Sequence, residues 1–403
     1  MRSLAFAWRS LVRQPARMTL GVVGIAAVGA LLFDMLLLSR GLVISFRDLL
    51  DRSGFDVRVM AAAATPFAGP RLQDARRLAA AIGALPEVEA AVPVRVGSAQ
   101  TTAPQNQNVT FSLVGAGSTH RRPWRIVAGA DLSFTAGSKK HPPTLLVNRN
   151  LAQRLRLSPG ATLTLRGTCA QDASVPPPVE FRVAGIADFP FDTASQMTAA
   201  ATLAAYTRTC GDEASDEADL LLVASRRGSG PDGAVVAIRR LRPRLHVFTN
   251  EELVDRFQQT DFSYFRQLSV VLASVTLFFG FLLITVLLTV SVNQRFGQIA
   301  ALRAVGFSRR RVVADVLWES AILVFAGGVL ALPLGLGLSI GLNDILREMP
   351  GIPAEVSFFV FEMRALVQHI GLLALTALGA AMYPMWLVAR LPIAATLRDE
   401  VVS

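Results

Sequence analysis

Four long apolar runs constrain the fold of this 403-residue chain more than any other feature. A run of about 18 or more residues without charge is long enough to cross the hydrocarbon core of a bilayer as a helix. Three runs meet that condition outright, and a fourth meets it except for one acid, Asp34. The sequence therefore predicts four membrane-spanning helices, at residues 18–39, 268–292, 320–342 and 365–389.

The first run could instead be a cleaved signal peptide, since it lies near the start of the chain. It is longer than the apolar part of a usual signal peptide, however. The residues that follow it, "LLSRGLVISF", also make a poor small-residue cleavage site. We therefore interpret the first run as an anchor that stays in the mature protein.

The arginines near the spans predict the orientation, because cytoplasmic flanks carry an excess of Lys and Arg. The first seventeen residues hold four arginines and no acid, and residues 293–319 hold five more arginines. The other short loop holds four acids and two arginines. Both termini are thus predicted in the cytoplasm. The cytoplasmic parts are residues 1–17, 293–319 and 390–403, and the outer parts are residues 40–267 and 343–364.

Three arginines, residues 309–311, open a predicted helix ahead of the third span, at a helix start where positive charge is unfavourable. Ser308 can cap this helix, but Arg311 stands where a capping box has Glu or Gln. Each cation there is disfavoured by roughly 0.3–1 kcal/mol. Anionic membrane lipid or an acidic partner at the inner membrane surface can offset this cost.

Residues 40–267 are too long for a connecting loop and must form a domain. Helical patches alternate with short runs of strand character, which predicts a mixed α+β domain of two lobes. The fold class is thus an α-helical membrane protein with four transmembrane helices and a large α+β extracytoplasmic domain between the first and second. The predicted strands are 55–60, 88–100, 108–117, 144–148, 161–167 and 179–189, and the helices are 71–85, 149–157 and 232–245.

The two edges of this domain have helical spacing that continues the first two spans. Residues 40–54 place Leu42, Phe46 and Leu50 at helical intervals, and residues 250–268 repeat the pattern. One interpretation is a stalk of two membrane-continuous helices that moves with the spans. The other is an ordinary pair of first and last domain helices.

The only two cysteines, Cys169 and Cys210, both lie in the predicted outer domain. In an oxidising compartment such a pair often forms a disulfide, and we favour that over two buried thiols that never meet.

Catalytic and metal-binding motifs are absent from the sequence. There is no GxxxxGK[ST] and no HExxH, and the four histidines lack metal-ligand spacing. The formal charge of +10 is better explained by the inner-surface arginines and a basic outer domain than by nucleic acid. We therefore expect a protein that is not an enzyme, has no metal site and binds no nucleic acid.

A few residues inside the spans stand out. Asp34 is an intramembrane acid, which is a functional hypothesis by default, although it could simply reach interfacial water or Arg40. His369 is interpreted as interfacial. Gly337 and Gly341 lie one turn apart and predict close helix packing, within this chain or across a dimer.

The stretch "RFGQIAALRAVGFS" resembles the cytoplasmic signature of the FtsX-like/MacB-type permeases of ABC transporters. The matching residues follow the order of the usual "RRxEIGxLRAxGAS" run, except that Gln298 replaces the usual acid. The tail "RLPIAATLRDE" resembles the family's ending. "LLVNRNLAQRLRLSPGATLTLRG" with "VEFRVAGI" resembles its outer-domain stretch. The residues that match the first signature are Arg295, Ile299, Leu302, Arg303, Ala304, Gly306 and Ser308.

The resemblance implies a permease subunit in the bacterial inner membrane. It pairs with a second copy or a paralogue and binds a separate cytoplasmic ATPase. ATP and Mg²⁺ would be bound by that ATPase, so this chain itself would hold no cofactor. A periplasmic adaptor is a further implied partner. The segment that would dock the ATPase comprises Phe296, Gln298, Ile299, Leu302, Arg303, Ala304, Val305, Gly306 and Arg310.

Three functions fit such a chain. The leading one is export or extraction of a lipid, lipoprotein, peptide or drug from the outer leaflet or periplasm. A second is mechanical regulation of a cell-wall hydrolase or signalling partner without transport. A third, a peptide sensor that signals to a kinase, is disfavoured because that branch usually carries more than four spans.

Overall fold

The computed structural model of the chain describes residues 15–63, 69–102, 108–134, 142–168, 176–259, 263–294, 309–347 and 353–390. In chain order the elements are α1 (Pro15–Arg52), β1 (Val57–Met60), α2 (Ala75–Gly83), β2 (Val88–Thr102), β3 (Asn108–Ala116), β4 (Arg125–Gly129), β5 (Thr144–Val147), α3 (Arg149–Leu155), β6 (Thr162–Gly167), β7 (Val179–Asp188), β8 (Thr198–Thr202), α4 (Leu203–Thr209), β9 (Leu220–Ser225), α5 (Gly230–Leu241), β10 (His246–Thr249), α6 (Asn250–Gln259), α7 (Ser263–Asn293), α8 (Arg309–Arg347) and α9 (Met363–Arg390).

Four of these helices, α1, α7, α8 and α9, are long and apolar enough to cross a membrane. This confirms the predicted fold class, with the large α+β domain between the first and second of them. Exposed valine, leucine and phenylalanine side chains line their outer surfaces, as expected for helices in contact with lipid. Pro333 and Pro384 lie inside α8 and α9.

The chain divides into two compact units. The helical unit contains α7, α9, α1 up to Leu42 and α8 up to Leu346. The outer-domain unit contains residues 43–260 and also the short segment 347–356, which follows α8. A single unbroken helix, α1, therefore supplies its first part to one unit and its end to the other.

One ten-stranded sheet organises the outer domain, in the order β10-β1-β9-β2-β3-β8-β5-β7-β4, with β6 pairing with both β2 and β7. The β3–β8 and β5–β7 pairs are parallel, and the remaining pairs are antiparallel. Such a mixed sheet needs crossover connections, which the short helices supply.

The predicted two lobes correspond to two apolar clusters on a single sheet. One cluster packs α2 and α5 against β1 and β9, and the other packs α3 and α4 against β3, β5 and β7. A third cluster lies on the opposite sheet face from the first: Val57 and Val59 point into the first cluster, whereas Met60 points into the third. The two lobes therefore share one continuous hydrogen-bonded sheet.

The structure contains all six predicted strands and the three predicted helices, with ends shifted by a few residues. Asn148 shows why one helix starts where it does, since its side chain accepts a hydrogen bond from the Leu151 amide at 2.9 Å. The sequence patterns did not predict α4 or four of the strands, β4, β8, β9 and β10.

Candidate functional site

Two helices of the outer-domain unit pack together, and one of the two interpretations drawn from the sequence is that they form a stalk. We define the stalk as the part of α1 from Val43 onward together with α6. Leu50, Leu253 and Val254 form a buried cluster. The rings of Phe46 and Phe257 meet at 5.3 Å between centroids. Because α1 is unbroken from Pro15 to Arg52, the α1 part of the stalk belongs to the same helix as the predicted first span.

The length of α1 agrees with a helix that continues beyond the membrane. A helix of 38 residues is about 57 Å long at 1.5 Å per residue, whereas the hydrocarbon core of a bilayer is about 30 Å thick. Nearly half of α1 therefore extends beyond the apolar layer. The second stalk helix, α6, ends at Gln259, and α7 begins at Ser263.

A polar network fixes both stalk helices to the sheet. Arg58 on β1 donates from Nη1 to the side-chain oxygen of Asn250, the first residue of α6. Asn250 in turn donates from Nδ2 to Asp51 of α1 at 2.8 Å and to the Phe55 carbonyl at 3.1 Å. Arg58 and Asn250 are only 4% and 6% exposed. Buried polar groups with such partners hold elements in one register, because losing a partner leaves a costly unpaired group.

The segment that follows α8 is also tied to the outer domain. The Ala354 amide donates to the Asp192 carbonyl at 2.8 Å, and Thr193 and Pro353 form an isolated bridge. Arg52 and Glu355 lie 4.0 Å apart, but both are well exposed, so this pair contributes little. The outer-domain unit is thus connected through the chain to all four long helices.

The predicted intramembrane acid, Asp34, has Ser339 as its hydrogen-bond partner rather than Arg40. Asp34 is fully buried and accepts a hydrogen bond from Ser339 of α8 at 2.5 Å, while its Oδ2 has no partner among the described residues. Arg40 pairs with Glu362 instead, at 3.0 Å. The idea that Asp34 reaches interfacial water or Arg40 is therefore wrong, because side chains from neighbouring helices enclose it.

Two further polar residues are buried in the helical unit. His369 is 1% exposed and lies 5.2 Å from the Phe33 ring, so its side chain packs inside the helical unit, while its place at the membrane interface stays a prediction. Glu319, which the sequence reading did not single out, is 6% exposed and accepts a hydrogen bond from Ser291 of α7 at 2.8 Å. Glu319 was not predicted as an intramembrane acid because it directly precedes the apolar run at residues 320–342.

Most of the predicted ATPase-docking segment lies outside the described residues: Phe296, Gln298, Ile299, Leu302, Arg303, Ala304, Val305 and Gly306. The structure places Arg310 in the first turn of α8, which begins at Arg309 and has no acid in that turn. The unfavourable helix start inferred from the sequence is therefore present.

Among the residues that the structure describes, the two predicted small-residue contacts do not form. A Cβ built on Gly337 or on Gly341 would meet no described atom within 4 Å. By contrast, a Cβ on Gly41 would lie 2.1 Å from the carbonyl oxygen of Phe358, so at that position glycine is required by a close backbone approach.

Cys210 ends α4 and is buried, and it is not a free thiol. Cys169 lies outside the described residues, so its pairing with Cys210 stays a prediction. The nearby backbone supports it. A Cβ on Gly167, two residues before Cys169, would lie 3.0 Å from the Cα of Cys210. Among the described residues, no group of His, Cys, Asp and Glu could hold a metal ion.

Comparison with known proteins assigns both halves of the chain. The family model described as MacB-like periplasmic core domain matches residues 18–241, which is more than half of the chain. The model described as FtsX-like permease C-terminal matches residues 270–393.

A curated relative, the "Macrolide export ATP-binding/permease protein MacB" of Syntrophobacter fumaroxidans, is 26% identical over 193 residues. The match covers 45% of this chain and 26% of the relative, so the chain spans about a quarter of that protein's length.

Two solved structures resemble the chain only weakly. The periplasmic region of MacB from Actinobacillus actinomycetemcomitans is 9% identical with a TM-score of 0.39, over 53% of this chain and 99% of that one. The extracellular domain of the noncanonic ABC-type transporter YknZ from Gram-positive bacteria is 11% identical with a TM-score of 0.34. That match covers 48% of this chain and 98% of the YknZ domain. Both TM-scores are too low to support an argument about this chain.

Proposed function

We propose a function from the premise that this chain belongs to the family of MacB-like and FtsX-like permeases, multi-pass proteins of the inner membrane. The chain is the membrane subunit of an ABC transporter. A separate cytoplasmic ATPase subunit binds and hydrolyses ATP with Mg²⁺, and the permease converts that cycle into movement of its outer domain. The movement exports or extracts a substrate from the outer leaflet or periplasm, and the substrate is a lipid, lipoprotein, peptide or drug.

The single observation that carries this proposal is the continuity of α1 from the first span into the stalk. A helix of this kind transmits displacement along its axis because its backbone hydrogen bonds make it stiff. The Arg58–Asn250–Asp51 network then passes the displacement to β1 and to α6. A motion begun at the membrane would thus reach the sheet without a flexible linker.

The ATPase would dock on the predicted segment from Phe296 to Arg310. Its apolar side would enter a groove of the ATPase, with Leu302 as the anchor, and the arginines would face acidic groups of the partner. Both termini would lie in the cytoplasm on the same side as this segment. Two permease copies, or this chain and a paralogue, would bind two ATPase subunits, and a periplasmic adaptor would complete an efflux assembly.

The decisive experiment combines pull-down of the co-expressed ATPase with measurement of its ATP hydrolysis. Leu302→Asp should abolish both binding and stimulation, because truncating an interface anchor often costs about 2 kcal/mol or more and a desolvated charge adds to that. Val127→Asp is the matched control, since it adds the same charge at a 44% exposed position on β4. Wild-type binding and stimulation by Leu302→Asp would show that the coupling role lies elsewhere.

Co-purification of the native complex separates transport from mechanical regulation. An efflux role predicts a periplasmic adaptor in the complex. A cell-wall hydrolase in its place would favour the regulatory alternative, with the same stalk acting on that hydrolase.

A further inference from the structure

A mostly apolar pocket lies between the stalk and one face of the outer-domain sheet, entirely within the outer-domain unit. Its volume is about 490 Å³, within the range of roughly 300–1,000 Å³ that is typical of small-molecule sites. Fourteen of its twenty lining residues are apolar. Phe46 and Leu50 of α1 and Leu253 and Phe257 of α6 form the stalk wall.

The floor of the pocket is the sheet itself. Val94 and Val96 of β2 and Leu220 and Leu222 of β9 line it, because residues two apart in a strand point to the same face. A third wall carries the rings of Trp124, Phe189 and Phe191. Phe191 is 44% exposed, which leaves a large aromatic side chain at the surface beside the pocket.

The hydrogen-bonding groups of several polar residues in the lining are used by the protein. The carboxylate of Asp192 accepts from Thr198 and from Asn148, each at 2.7 Å. Ser53 donates to the Leu50 carbonyl at 2.6 Å.

Arg58 is the exception among the pocket-lining side chains that the structure describes. Its Nη2 is buried and has no hydrogen-bond partner among the residues that the structure describes. Burial lowers the pKa of Arg58 to about 10, while Asp51 and Asp56 oppose that shift, so the guanidinium remains a cation at neutral pH. A buried cation is unfavourable, and a negative charge near it would offset part of that cost.

We propose that this pocket binds an anionic amphiphile, whose acyl chain lies among the apolar walls and whose anionic group lies at the wall that Arg58 forms. A fully apolar ligand would bring no negative charge to Arg58, and a fully polar ligand would be desolvated against fourteen apolar residues. The inference rests on the proposed function only in identifying this ligand as the substrate. A ligand here would contact both stalk helices, so its binding would act directly on the two helices that are proposed to move.

The test uses the full-length chain in nanodiscs of neutral phosphatidylcholine, without ATPase. The probe is palmitic acid that carries a photoactivatable diazirine and an alkyne. After illumination, mass spectrometry identifies the labelled peptides. We expect label on residues 189–191 and on the two stalk helices, and we expect unlabelled palmitate to displace it.

Val96→Trp fills the pocket and should lower labelling about tenfold, which corresponds to about 1.4 kcal/mol of lost binding. Val127→Trp makes a comparable change at an exposed position outside the pocket and should label like the wild type. Val114→Phe fills less volume and repeats the test if Val96→Trp impairs folding. The methyl ester of the probe should label about tenfold less than the acid, because it lacks the negative charge that Arg58 attracts.

Label confined to α7, α8 and α9, or equal labelling of Val96→Trp and wild type, would overturn the proposal. Displacement by an apolar peptide but not by palmitate would overturn the choice of ligand, and equal labelling by acid and ester would overturn the role of Arg58. If labelling behaves as expected while Leu302→Asp keeps full ATPase stimulation, only the ATPase-docking part of the proposed function fails. If labelling fails while Leu302→Asp abolishes stimulation, only the pocket assignment fails.

Discussion

Replacing Asn250 by alanine tests whether the polar network holds the stalk to the sheet. The substitution removes the hydrogen bonds to Asp51 and to the Phe55 carbonyl and the one from Arg58. Asp51 is exposed and can turn to water, but the Arg58 guanidinium and the Phe55 carbonyl remain buried. An unsatisfied buried neutral group costs about 1–3 kcal/mol and a charged one more, so we expect the free energy of local unfolding to fall by roughly 3–5 kcal/mol.

Hydrogen–deuterium exchange of the full-length protein in nanodiscs measures this effect locally. A loss of about 3 kcal/mol corresponds to roughly a hundredfold faster exchange, since each 1.4 kcal/mol is tenfold. The acceleration should be confined to peptides from the end of α1, from β1 and from α6, because these elements share the network. ATPase binding should be unchanged.

The matched control is Asn150→Ala. Asn150 also donates two side-chain hydrogen bonds, to the carbonyls of Ala194 and Gln196 at 2.9 Å each, but it is partly exposed. Its loss should cost about 1 kcal/mol or less, since water can replace the asparagine side chain as a partner. If Asn250→Ala accelerates exchange no more than this control, then the network does not fix the stalk, and the transmission route proposed through it is wrong.

Three further predictions concern topology, the disulfide and pH. With the native cysteines removed, a cysteine introduced at Ser118 should react with an impermeant thiol reagent in intact cells, and one at Ser308 should not; the reverse pattern would overturn the orientation. Non-reducing mass spectrometry should find Cys169 bonded to Cys210, a link that closes a loop of roughly 40 residues and contributes up to about 4 kcal/mol, and two free thiols would rule it out. Burial raises the pKa of Asp192 from 3.8 to about 6, so the folded state holds this proton more tightly than the unfolded state. Stability from this group should be full below about pH 4 and lost as the pH rises through about 6, and the thermal midpoint of Asp192→Asn should fall less over that window than the wild type's.

The sequence alone determined the four long helices and most of the outer-domain elements. An apolar run of sufficient length must satisfy its backbone hydrogen bonds internally when no water is present, so its helical state depends little on the rest of the chain. Some of the predicted strands alternate apolar and polar residues, and in β7 this local pattern survives as an alternation of buried and less buried positions. The helical spacing at Phe46 and Leu50 was also readable from the sequence, and the structure packs this part of α1 against α6.

Tertiary structure decided the elements whose stability comes from their neighbours. β8, "TAAAT", has weak intrinsic strand preference, yet all five residues are buried because β3 and β5 pair with it on its two sides. The partner of Asp34 is Ser339, about 300 residues away, and Arg58 meets Asn250 across almost 200 residues. Such pairs leave no local signal, since each side chain is ordinary in its own segment and only the packing of distant elements brings the two together. The buried cation in an apolar pocket arises in the same way, because its surroundings come from two helices, several strands and a loop.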